Sequence, residues 1–345
     1  MQVHKFRDDD DEREDPNDAN DNEPPIALSS ATLAALKAFV KENQGGIDQH
    51  DKDEVDDEDD TEGVLSAIQQ LVQQQRGTGA DDDAPKPVVI KYDTYERTPS
   101  ASFFGPTTLR LALIAKHHSL WAEFVYNAAR VLADKIDAGD IACRCKAVLE
   151  LGAGAGLPGV VSALCGASVV CISDYVNEVD DSLLKAIDIN LDMVKECFST
   201  APPPPFPVPI LASCGYTWGY PVDKLLAHIP PPPPSADQQQ PPPQQLFDVI
   251  LLADLIFNRS EHRKLLWTVQ RCLHPDGVAW VTFSHHDPHK RDLDLNFFRL
   301  AESDDFGFVV SMVAEEQHES YPFVENDGLD GQRGMVYTYK LERGK

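Results

Sequence analysis

From residue 147 onward, short apolar runs alternate with stretches whose apolar residues recur every three to four positions. Runs of the first kind make buried strands, and the second period is that of a helix with one apolar face. The pattern predicts strands at 147–151, 168–172, 208–212, 248–253 and 278–284. It predicts helices at 158–165, 181–198, 260–272 and 292–303. Strands that are apolar throughout and separated by helices form a parallel sheet covered on both faces. Two further strands, 307–313 and 335–341, close the series as a hairpin that inserts one antiparallel edge strand.

Upstream the pattern is different. Residues 1–90 hold 24 Asp and Glu against 8 Lys and Arg, a large part of the net charge of −27. Such a stretch cannot bury enough apolar surface to fold alone. We therefore expect an acidic, largely disordered arm over 1–95 and one folded domain over 96–345. Within the arm, Leu33, Leu36, Phe39 and Val40 follow Ser29 and Ser30 at helical spacing, which predicts a short helix near 30–43. Two proline blocks, 202–209 and 230–243, interrupt the domain. Proline fixes φ and lacks the backbone donor, so both blocks are expected as surface loops.

The charge balance argues against a nucleic-acid phosphate groove and suits a basic protein partner. No run reaches the roughly 18 apolar residues of a membrane span. Seven cysteines, an odd number lying mostly in apolar runs, read as reduced thiols of a cytoplasmic protein, core or incidental throughout. Cys143 and Cys145 stand too close for the usual zinc pair, and no metal is expected.

The candidate chemistry begins where the strand 147–151 ends. Gly152, Gly154, Gly156 and Gly159 follow it, with Pro158 at a position favoured in a first helical turn. Glycines let a backbone turn sharply and approach a ligand closely. The spacing of Gly154, Gly156 and Gly159 formally fits a dinucleotide fingerprint, whereas Glu150, Gly152, Ala153 and Gly154 resemble the first motif of S-adenosylmethionine methyltransferases. Asp174 ends the next strand and suits ribose hydroxyls under either reading. Trp218 follows the third strand, where an aromatic can lie against adenine or serve as core. The fourth strand ends in Ala253 and Asp254, with Phe257 three residues on. A hydrogen-bond acceptor beside an aromatic wall is what a methylatable amine needs. His285 and His286 are either proton acceptors or ordinary strand-end residues.

Taken together, Trp121, Gly152 to Gly154, Asp174, Gly215 to Gly219, Ala253 to Asn258, Glu261, His262, Phe283 to His286 and Pro288 carry a resemblance. The domain resembles the seven-β-strand methyltransferase family 16. Within it, the chain is similar to the fungal nicotinamide N-methyltransferase-like proteins, known as protein N-terminal and lysine N-methyltransferases of translation elongation factor 1-alpha. The resemblance implies a Rossmann-like α/β fold of seven strands, a mostly parallel sheet with helices on both faces and the C-terminal antiparallel hairpin. It implies S-adenosyl-L-methionine as cofactor, held by Trp121, Gly152, Ala153, Gly154, Asp174, Trp218 and Ala253. Asp254 and Phe257 would form the acid-x-x-aromatic motif at the reacting amine. The implied partner is translation elongation factor 1-alpha, met by a monomeric enzyme with no nucleic acid or membrane involved. After Trp121 the chain departs from the family, reading Ala122, Glu123, Phe124, Val125 and Tyr126 where glycines are expected.

A methyl group on a sulfonium is already activated, so such an enzyme needs no nucleophile of its own, only a neutral amine held in line. An unperturbed α-amine is roughly 10–20% neutral at pH 7, and a lysine far below 1%. A lysine substrate therefore needs desolvation to lose its proton. A small-molecule N-methyltransferase, a dehydrogenase and a non-catalytic module on this fold are the competing readings.

Overall fold

The computed structural model describes residues 89–98, 104–114, 124–176, 181–200, 203–231, 245–319 and 327–344. Residues 1–88 of the expected arm, its short helix near 30–43, Trp121 and most of the second proline block lie outside the described residues. The first described element, β1 (Ile90–Glu96), precedes the boundary expected at 96 and pairs antiparallel with β2 (Thr108–Ile114). Helix α1 (Asn127–Ala138) follows. Then come β3 (Ala147–Leu151), α2 (Leu157–Leu164), β4 (Val169–Asp174), α3 (Ser182–Thr200) and β5 (Ile210–Gly215). The remainder comprises α4 (Asp223–Leu226), β6 (Phe247–Ala253), α5 (His262–Cys272), β7 (Leu273–Phe283), α6 (Arg291–Ala301), β8 (Phe308–Gln317), α7 (Asp330–Arg333) and β9 (Met335–Arg343).

Seven of these strands form one sheet in the order β5-β4-β3-β6-β7-β9-β8. The first five in that order are mutually parallel, and β9 runs antiparallel to both β7 and β8. Alternate residues of the central strands feed two separate cores. Leu149, Leu151, Ile250 and Leu252 pack with Leu265, Leu266 and Val269 of α5 and with Phe297 and Phe298 of α6. Val148, Val170, Val249 and Leu251 turn the other way, onto Leu132 and Ile136 of α1, Val160 and Val161 of α2, and Ile187 and Leu191 of α3. Strands buried on both faces explain why the sequence shows apolar runs rather than alternation.

The closing hairpin differs from expectation in one respect. Its second strand, β9, lies inside the sheet, and β8 is the edge. Val336, Thr338 and Leu341 of β9 are fully buried, whereas Val309, Met312 and Val313 of β8 are exposed.

The β1–β2 hairpin is fastened to this body by buried polar groups. Arg97, just beyond β1, donates from Nε and Nη2 to Asp137 of α1 at 2.6–3.1 Å and from Nη1 to the Phe104 carbonyl at 2.6 Å. Asn190 of α3 accepts from the Ala112 N–H at 2.7 Å and donates to the carbonyls of Ala112 and Ala155 at 3.0 and 2.9 Å. The amide thus joins β2 to the glycine-rich turn after β3. In the first proline block, residues 203–209 carry no helix or strand, and Phe206 is buried between Phe104 and Phe198.

Candidate functional site

The parallel strands all end at one edge of the sheet. The chain leaves β3 for β4 and β5 on one side and later for β6 and β7 on the other. The order reverses between β3 and β6, and such a switch point opens a crevice beyond the strand ends. Gly152, Asp174 and Asp254 stand at those ends.

Gly152 adopts φ +59, and a Cβ there would lie 2.6 Å from Leu255 and 2.9 Å from Cζ2 of Trp218. The indole therefore rests against the first glycine of the turn, at a position where only glycine leaves room. Gly154, at φ +55, has the opposite surroundings: a Cβ would meet nothing within 4 Å. Its backbone borders open space. The Gly154 N–H donates to Oδ2 of Asp174 at 2.6 Å, and the Tyr175 N–H donates to Oδ1 at 2.6 Å. The Ala153 N–H bonds the Ser173 carbonyl at 3.1 Å, which ties the turn to the end of β4. A carboxylate has about four acceptor sites, so Asp174 is suited to vicinal hydroxyls as well as to these amides. The open cradle at Gly154, the half-buried carboxylate and the flat indole fit the nucleoside of S-adenosylmethionine. Trp218 also packs against the α5-side core, so it is both core and crevice wall. Its loop is fastened to α5 by the Gly219 N–H donating to the Thr268 hydroxyl at 3.0 Å.

Below the turn lies Glu150, fully enclosed. Its Oε2 accepts the Gly159 N–H at 2.7 Å, and Oε1 has no partner. Burial pushes its carboxyl up to about 8, partly offset by the Gly159 N–H and reinforced by Asp174. Enclosure favours the neutral acid, which sets the sign of a pH effect. Stability from this group is complete below the unfolded value of about 4.3 and is lost as pH rises through about 8. Melting temperature should therefore fall less between about pH 6 and pH 9 in Glu150→Gln than in the wild type. Parallel falls in the two proteins would refute the buried-acid assignment.

At the end of β6, Asp254 sits 7% exposed with φ +59, a left-handed conformation uncommon outside glycine. Its N–H bonds the Thr282 carbonyl at 2.7 Å, which turns the side chain across the end of β7. Oδ1 accepts the Ser284 N–H at 3.4 Å, and Oδ2 accepts from His286 Nε2 at 2.9 Å. The His286 ring stacks on Phe257 with centroids 4.6 Å apart and planes at 22°. Tyr126, the residue before α1, stacks over His286 at 6.3 Å and 17°. The acid and aromatic predicted as a pair are thus joined through a histidine. Ala253, half-buried beside them, pairs with Thr282.

The two adjacent histidines separate. His285 turns toward α6 and bonds Oδ2 of Asp294 at 2.7 Å, while Arg259 Nε donates to Oδ1 at 2.9 Å. Only His286 touches Asp254. Its link to Phe257 was not legible from spacing, because stacking across two loops leaves no periodic trace. Tyr126 lies within the stretch where the chain departs from its family, and its position ahead of α1 was the available signal. Cys143 and Cys272 are buried, with thiols pushed up to about 11 and about 12 by desolvation, as expected of core cysteines. No group of side chains that could hold a metal occurs among the described residues.

Similar proteins are known. Residues 110–200 match the family described as lysine methyltransferase. The protein N-terminal and lysine N-methyltransferase efm7 of Schizosaccharomyces pombe is 34% identical over 239 residues, covering 69% of this chain and 83% of the relative. Its namesake EFM7 in Eremothecium gossypii is 34% identical over 258 residues, covering 74% and 89%. Among solved structures, the precorrin-6y C5,15-methyltransferase of Geobacter metallireducens matches with a TM-score of 0.38 and 12% identity, covering 67% of this chain and 94% of that one. The identity to the fungal enzymes over most of their length shows the family: the chain belongs to the S-adenosylmethionine-dependent protein N-terminal and lysine N-methyltransferases.

Proposed function

We propose that this chain methylates the N-terminal α-amine and an adjacent lysine of translation elongation factor 1-alpha. The observation that carries the reading is the Asp254 carboxylate, joined through His286 to the Phe257 ring at the strand-end edge of the sheet. The names of the relatives supply the reaction, and the motifs shared with the elongation-factor enzymes supply the substrate. When bound, S-adenosylmethionine supplies a methyl group on a sulfonium cation. Gly152, Ala153 and Gly154 would form the floor of its site, Asp174 would take the ribose hydroxyls, Trp218 would lie against the adenine, and Ala253 and Trp121 are assigned to the same cofactor by the resemblance. Asp254 would accept a hydrogen bond from the amine and so orient its lone pair. For each methyl it receives, the amine gives up one proton. Phe257 excludes water and favours the cationic product through its ring face. A cytoplasmic, monomeric enzyme is the simplest form of this reading.

Mass spectrometry of elongation factor 1-alpha and of a short peptide with a free α-amine tests it. The acetylated peptide should lose the N-terminal product, because acetylation removes the nucleophilic lone pair. Methylation confined to lysine in both peptides would reject the N-terminal assignment. Rapid methylation of nicotinamide with neither peptide reacting would favour a small-molecule enzyme. Asp174→Ala checks the cofactor side. It should weaken binding of S-adenosylhomocysteine by about 1.5–3 kcal/mol for each hydrogen bond lost to the charged acceptor. Unchanged affinity in calorimetry would remove Asp174 from the site.

A further inference from the structure

His286 has a partner that the proposed reaction needs for itself. Its Nε2 is 2.9 Å from Oδ2 of Asp254, and its ring is stacked between Phe257 and Tyr126. That leaves Asp254 in one of two electrical states. Beside a neutral ring, the carboxylate keeps its full charge and attracts an ammonium. Beside a protonated ring, the charge is already matched, and an incoming cation meets a neutral pair. We propose that His286 is the positioning residue of the amine site, fixing the Asp254 carboxylate and switching its charge on for the substrate by releasing its own proton. The inference rests on the reading of Asp254 as the acceptor for the amine.

The charges around the ring decide how firmly it holds its proton. Burial works to discharge the ring, but the charge and hydrogen bond of Asp254 outweigh it and Asp294 adds to them. Arg259 opposes them, and the net direction is upward from the ordinary histidine value. The Arg333 guanidinium of α7 also stands close, donating from Nε to the His286 carbonyl at 3.1 Å, with Asp327 and Asp330 bound to its outer nitrogens. From the α1 side the ring meets Tyr126, and from the loop after β6 it meets Phe257, neither of them charged. His285 faces away, toward Asp294.

The test uses the full chain in two measurements. In the first, the ring of His286 is followed by NMR through a pH titration, assigned by its loss in His286→Gln. Asp254→Asn, which tolerates the same left-handed backbone, should move the midpoint down. This needs no substrate, and an unmoved midpoint overturns the inference whatever the enzyme methylates. In the second, kcat/KM for the free-amine peptide is measured from about pH 5.5 to pH 9. The productive encounter requires the loss of two protons, one from the amine and one from His286. The wild type should gain about a hundredfold per pH unit on the acid limb, and His286→Gln about tenfold. S-adenosylhomocysteine affinity should be the same in both. Equal acid limbs would overturn the inference. If mass mapping finds the methyl on lysine alone, the N-terminal reading fails, while the difference between the two limbs still decides the role of His286.

Discussion

Asp254→Ala is expected to lower methyl transfer to a protein amine by about a hundredfold to ten-thousandfold, the range lost when a group that positions or accepts a proton is removed. Three ties argue for so large an effect. The Thr282 carbonyl fixes the backbone, the Ser284 N–H fixes one carboxylate oxygen, and His286 fixes the other. A rigidly held acceptor contributes through orientation, which no flexible neighbour replaces. Cofactor affinity should be nearly unchanged, since Gly154 and Asp174 belong to the ends of β3 and β4, not of β6. Alanine at φ +59 adds backbone strain of about 1–2 kcal/mol, so Asp254→Asn is the companion variant. The two substitutions should depress turnover alike while differing in melting temperature. Full activity in the asparagine variant would show that the negative charge is not used.

The largest effect on stability is expected from Arg97→Ala. Side chains of Arg97 and Asp137 are 0% and 1% exposed, so the substitution strands a carboxylate away from water. Removing one member of a buried pair costs about 3–5 kcal/mol. That is a large share of the 5–15 kcal/mol typical of a folded domain. The Phe104 carbonyl loses its donor as well. Urea denaturation should show the loss, and the double variant with Asp137→Ala should recover part of it, because no lone charge is then buried. A change below about 1 kcal/mol would mean that water reaches the pair in solution.

The sheet was legible because its strands are buried on both faces. Val169, Val170, Cys171 and Ile172 read as a strand whatever packs on them. The glycine turn was legible for a similarly local reason, since Gly152 and Gly154 follow directly on β3. Helix α1 was not picked out, although Val131, Leu132 and Ile136 share a face and Gly139 ends it in the left-handed conformation. Its apolar stripe is narrow and includes Asp137, whose burial makes sense only once Arg97 arrives from 40 residues upstream. The interior place of β9 was likewise hidden, because a hairpin at a sheet's end can attach by either strand. At the site, Asp254 and Phe257 declared themselves by spacing. The roles of His286 and Tyr126 depend on which side of the strand end each residue faces, and a doubled histidine does not reveal that.

Asn190 carries a consequence of another kind. An amide side chain offers one acceptor and two hydrogens, and here the Ala112 N–H and the carbonyls of Ala112 and Ala155 engage them. A carboxylate of nearly the same shape would keep the first contact and turn the other two into repulsions between oxygens. An acid in place of this one amide would therefore loosen the tie between the hairpin and the glycine turn.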